Sequence, residues 1–145
     1  MPILNYTTQI APEKSVAEIQ KRLVRIGAEA ILSEYSPQHI LHALSFRYVH
    51  KGQPIMFRMP ARIESIYDVL SRDREVPKRL KTHEQASRVA WRIVKDWIEA
   101  QAAIVEAEQA EVVEVFLPYA QNSATGETLY QALEQNGFQL LTHQA

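Results

Sequence analysis

Twelve of the chain's sixteen basic side chains fall between Arg47 and Lys95, against five acidic ones. Arginine and lysine in that density supply what phosphate oxygens need: fixed positive charge and, for arginine, a planar fork that grips two oxygens at once. Arg47, Arg58, Arg72, Arg74, Lys78, Arg79, Lys81, Arg88, Arg92 and Lys95 are therefore the candidate phosphate contacts. Arg88, Arg92 and Lys95 are spaced i, i+4 and i+7, which puts them on one face of a helix, and Trp91 lies beside them as a candidate stacking platform for a base. The plain alternative is a set of solvated charges paired locally with Glu84, Asp96 and Glu99, with Trp91 half-buried. From Asp96 onward the sign reverses, with eight acidic residues and neither lysine nor arginine. The net charge of −1 thus conceals a dipolar chain.

Other chemistries find little material. The histidines, His39, His42, His50, His83 and His143, form no metal-binding spacing. His39 and His42, three apart where a turn enters a strand, are expected on opposite faces. Glu106, Glu108, Glu111 and Glu114 suit a solvated helix face better than a carboxylate pair. No cysteine is present, which removes disulfides, thiolate metal sites and cysteine nucleophiles. Four glycines and no phosphate-loop or nucleophile-elbow motif leave nucleotide hydrolysis and hydrolase chemistry without support. The expectation is a non-enzyme without metal or cofactor. No apolar leader and no membrane-length apolar run is visible, so the expected location is the cytoplasm.

These side chains need a scaffold, and at 145 residues with 46% apolar content one domain can bury a core. Residues 1–12 are expected as an extended arm that pairs with a sheet edge or stays loose. Ser15 with Glu18 has capping-box form ahead of Val16, Ile19, Leu23 and Ile26, and Gly27 ends that helix. Strands follow at 29–35, 41–50 and 54–62. With Lys51 and Gly52 as turn residues, Phe46 faces Phe57, and Leu44, Tyr48, Ile55 and Met59 join them on one face. Ser45, Arg47, Met56 and Arg58 then occupy the other. Ile63, Ile66, Tyr67 and Leu70 suit a short helix before a basic loop. Thr82 with Gln85 repeats the capping box and opens an apolar stripe from Ala86 toward Leu117.

A helix running unbroken from 83 to 117 spans about 50 Å, longer than such a domain is wide, so it must kink or project. Its Ala100, Ala102, Ala103, Ala107 and Ala110 permit close approach of another helix, and a homo-oligomer through this long helix is expected. Near the end, Ser123 and Thr125 are candidate caps, Asn136-Gly137 a stop, and 138–142 a short strand or docking segment. The fold class is α+β: an N-terminal helix, a small three-stranded antiparallel sheet, and a helical half from 63 to 145.

Three stretches together carry a resemblance: Ser-Val-Ala-Glu-Ile-Gln-Lys-Arg-Leu from Ser15, Phe-Arg-Met-Pro-Ala from Phe57, and Ala-Ser-Arg-Val-Ala-Trp-Arg-Ile-Val-Lys-Asp-Trp-Ile-Glu-Ala-Gln from Ala86. They resemble small uncharacterised proteins of phages and prophage-like elements. The resemblance implies an accessory role such as DNA handling or counter-defence, and assigns no residue a task. Two functions are thereby expected in order. The first is a nucleic-acid-binding accessory protein. The alternative is a homo-oligomer that binds an anionic small molecule, or a protein partner, with the same arginines between subunits.

Overall fold

The computed structural model describes residues 1–143. Its elements are α1 (Pro12–Arg25), β1 (Ala30–Tyr35), β2 (Leu41–His50), β3 (Gln53–Pro60), α2 (Ile63–Arg72), α3 (His83–Glu106), α4 (Val112–Phe116) and α5 (Leu129–Gln135). The strands form one antiparallel sheet in the order β1-β2-β3. The architecture is α+β.

The hairpin forms in the register that the sequence implies. Phe46 pairs with Phe57, Leu44 with Met59 and Tyr48 with Ile55, while Arg47 lies opposite Met56 and Ser45 opposite Arg58. Lys51 and Gly52 both take positive φ, +49° and +80°, the backbone that a two-residue turn requires to match strand twist. Phe46 and Phe57 stack at 5.0 Å on the inner face, and Phe116 meets Phe46 edge-on at 5.3 Å. These three rings are the centre of the core, and α1 and α3 close over it through Val16, Ile19, Leu23, Ala90, Trp91 and Ile98. A second cluster of Leu70, Val76, Ala86 and Val89 lies between α2 and α3, and Ile63 and Ile66 pack against both.

Helix boundaries depart from expectation at the start of α1 and at the end of α3. Helix α1 starts at Pro12 with Ala11 as its uncapped N-cap, and not at Ser15, which is buried. Proline at the first helical position has φ already set and no N–H to satisfy, so it starts a helix without a capping side chain. Gly27 ends α1 as expected; its φ of +111° and the Tyr48 ring 3.0 Å from where a Cβ would sit both demand glycine. Thr82 does cap α3, accepting from the Gln85 N–H at 3.0 Å, but the Gln85 amide turns elsewhere. Helix α3 stops at Glu106 and does not continue to Leu117. Glu108 adopts a left-handed φ of +60°, and a reciprocal Glu111–Glu114 capping box then restarts the chain as α4, which carries Phe116 back into the core.

The arm over residues 1–10 neither joins a sheet edge nor hangs free. Ile3 and Tyr6 pack against the second cluster, and the Gln85 amide donates to the carbonyls of Tyr6 and Thr8, both at 2.9 Å. At the other end, Thr128 caps α5, and neither Ser123 nor Thr125 does. Asn136-Gly137 is the stop, but residues 139–141 form a 3-10 turn where a short strand or docking segment is expected. The strand-like pairing falls earlier, where Ala120 bridges Phe57 and the Gln121 N–H donates to the Met56 carbonyl at 2.7 Å along the β3 edge.

Candidate functional site

Five of the ten candidate cations are held by carboxylates within the chain. The Arg47 Nε donates to Glu29 at 2.7 Å, and Arg58 donates through two nitrogens to both oxygens of Glu34 at 3.0 Å. That bidentate hydrogen bond holds the Glu34 carboxyl below the ordinary carboxylate range against the opposing effect of burial, and raises Arg58. Arg88 reaches Glu84 at 2.7 Å and the Gln85 side-chain oxygen at 3.0 Å. Arg92, its side chain only 14% exposed, is wedged between α3 and α1 on Glu18 and Ser15. Lys95 is bonded to Glu99, which raises its pKa, with Asp96 nearby at 3.6 Å. The expected triad of Arg88, Arg92 and Lys95 shares a helix flank, but its charge is spent on neighbours.

Trp91 is not a stacking platform. Its ring is fully buried, and its Nε1 donates to the Leu41 carbonyl at 3.0 Å, so it fills the core under β2 and offers no face to a base. An apolar ring on the stripe that faces the sheet is removed from water, whatever charges flank it in sequence.

The remaining five cations behave differently. Arg72, Arg74, Lys78, Arg79 and Lys81 lie within ten consecutive residues, and none has a carboxylate partner among the described residues. All but the half-buried Lys81 are exposed. Of the two acidic residues interleaved with them, Glu75 lies 2.8 Å from the amino group of Met1, and Asp73 accepts from the Glu75 N–H. The loop is anchored by Val76 in the second cluster. It leads straight into the start of α3, where helix N–H groups add positive potential.

Beside that start lies a cleft of about 990 Å³ between the first turns of α1, α2 and α3 and the β1–β2 loop. Leu41 and Ala61 are among its apolar walls; His39, His42, His83, Arg62 and Glu64 are among its polar ones. His39 and His42, expected on opposite faces, both line it, because His39 sits in a left-handed turn with φ +65° that redirects the chain. His83 is held twice: its Nε2 meets Glu64 Oε1 at 2.8 Å, and its ring stacks on Tyr67 at 3.8 Å with the planes 11° apart. Ser65 and Ser87 also line the cleft, yet neither hydroxyl bonds to a histidine among the described residues. No group of three His, Asp or Glu is placed to hold a metal ion among the described residues. Sequence reasoning missed this cleft because its walls come from four separate segments; the one local hint was His83 directly after the Thr82 cap.

A group of carboxylates without cation partners among the described residues lies at the opposite end of α3. Glu106 is taken by Arg22 and Arg25 of α1, while Glu108, Glu111 and Glu114 line a second, smaller concavity of about 640 Å³. No helix is long and apolar enough to cross a membrane among the described residues. Comparison with known proteins finds no matching family model, no matching curated protein and no matching solved structure.

Proposed function

We propose that this chain is a non-enzymatic nucleic-acid-binding accessory protein of a phage or mobile element, acting in the cytoplasm and gripping phosphates through loop 72–81. One observation carries the reading: Arg47 and Arg58 on the sheet and all three cations of α3 are matched to carboxylates, whereas Arg72, Arg74, Lys78, Arg79 and Lys81 are left unmatched in one short loop. Their placement does nothing for the helix that follows. Cations ahead of a helix start and carboxylates past its end both oppose the macrodipole, at a few tenths of a kcal/mol each. A surface that carries that cost in one place suits an anionic partner.

The direct test is binding of a fluorescein-labelled twenty-nucleotide DNA or RNA at about 50 mM salt. Loss of binding is expected in a variant carrying Arg72→Glu, Arg74→Glu, Lys78→Glu and Arg79→Glu, and little change in Arg47→Ala, whose guanidinium is already matched. Retention of full affinity by the loop variant excludes the reading.

A second reading, capture of an anionic small molecule, is favoured by Arg62, which lines the cleft without a carboxylate partner among the described residues. The cleft is built within one chain, so this reading no longer needs arginines shared between subunits. Self-association through α3 rests on a strip of exposed residues one helical face wide, Ala100, Ala103, Ile104 and Ala107.

A further inference from the structure

The cleft adjoins the basic loop, and the side chain at their junction is an aromatic ring. Lys81 ends the loop and His83 stands two residues on, so their Cα atoms are separated by about 7 Å at most. The His83 side chain is 55% exposed, although one face lies against Tyr67 and one edge against Glu64. An exposed side chain normally roams between rotamers; this one is fixed by a ring on one side and a carboxylate at its edge. His83 is also one of the residues that line the cleft.

We propose that the cleft receives a base of a single-stranded polynucleotide whose phosphates run over loop 72–81, with the His83 ring, backed by Tyr67, as the stacking surface. The proposal rests on the nucleic-acid reading above and adds to it the strandedness of the partner and the seat of the base. Three features support it together. A cavity of about 990 Å³ has room for a nucleotide, as ligand pockets run from about 300 to 1,000 Å³. A pre-positioned aromatic face beside a track of unmatched cations is the arrangement by which single strands are held without sequence readout. Ser65, Ser87 and His39 put hydrogen-bonding groups on the same walls, where a base edge needs partners. A paired duplex keeps its bases stacked inward and must unstack and unpair one, at a cost in free energy, to present it to this ring.

The experiment uses the full chain and four labelled twenty-mers: oligothymidine DNA, oligouridine RNA, a DNA backbone of equal length with abasic sites throughout, and a duplex. The intact single strands are expected to bind about tenfold more tightly than the abasic strand, the order expected for one stacked base. His83→Ala should bring that ratio to about one while leaving abasic binding unchanged, and His83→Phe should restore it. An intact-to-abasic ratio near one in the wild-type chain overturns the proposal while leaving the phosphate grip standing, as does a ratio that survives His83→Ala. Failure of all four probes to bind removes both readings at once. A thermal melt of each variant confirms folding, which a half-exposed residue on the first turn of α3 should not disturb.

Discussion

Glu34 shows how a single side chain can decide what a cation is for. It takes both nitrogens of Arg58 and stands 3.7 Å from His42, so it links the outer face of the sheet to the wall of the cleft. Its carboxyl titrates below the ordinary value, chiefly through the Arg58 hydrogen bond. A carboxyl whose folded pKa is depressed stabilises the fold above its unfolded pKa and loses that contribution as pH falls through the folded one. Relative to Glu34→Gln, the wild-type chain should therefore be more stable at neutral pH, by roughly 1 kcal/mol after allowing for partial exposure, and the difference should vanish on acidification below the ordinary carboxylate range. Paired urea melts at pH 7 and pH 3 measure it. A difference that grows toward acid contradicts the assignment.

The same residue marks a limit of sequence reading. The partners of Arg47, Arg58 and Arg92 are Glu29, Glu34 and Glu18, brought in by sheet register and helix packing over separations of 18 to 74 residues. Local charge counting places Arg88 with Glu84 and Lys95 with Glu99, because those pairs follow i, i+4 helix spacing. It has no means of finding the others. Trp91 failed for a related reason: its charged neighbours suggested a ligand surface, while its position on the apolar stripe decided burial.

Among the elements, those with a strong local signal were legible. The hairpin register followed from Lys51-Gly52 and alternating side chains, and with it the placement of Arg47 and Arg58 outward. The length of α3 was not, since the apolar stripe continues through Val112 and Phe116 although the helix has ended and begun again. Only Glu108, in a left-handed conformation that local sequence does not advertise, marks the break. Glu108→Gly should relieve that strain and raise stability by about 0.5–1 kcal/mol, measurable in a urea melt; a clear loss would show the side chain to be needed at the break.

The arm was likewise misjudged, because what pins it is a distant amide. Gln85→Ala leaves the Tyr6 and Thr8 carbonyls without their donor and should cost about 1–3 kcal/mol, with faster hydrogen exchange over residues 1–10. Unchanged exchange there would mean that Ile3 and Tyr6 alone hold the arm.

Taken as a whole, the molecule sets a loop of unmatched cations and a group of unmatched carboxylates at opposite ends of α3, a helix of 24 residues and so about 36 Å in length. The basic loop lies at the N-terminal end and the Glu108, Glu111 and Glu114 concavity at the other. The acidic third therefore does not fold over the basic loop; its nearer members, Asp96, Glu99 and Glu106, are spent on Asn5, Lys95, Arg22 and Arg25. If the exposed Ala100, Ala103, Ile104 and Ala107 strip joins two copies, sedimentation should give twice the chain mass of 16.6 kDa, and Ile104→Asp should return it to the single-chain value. A single-chain mass for the unaltered protein excludes self-association.

The central claim concerns the five unmatched cations of one loop, and the salt dependence of binding tests it most directly. Single-strand affinity, plotted as the logarithm of the association constant against that of the salt concentration, should fall with a slope of about −3.5 if all five contact phosphates. A loop variant carrying Arg79→Ala alone, which keeps four contacts and still binds, should bring the slope to about −2.8. A flat plot, or an unaltered slope in the loop variant, would contradict the account.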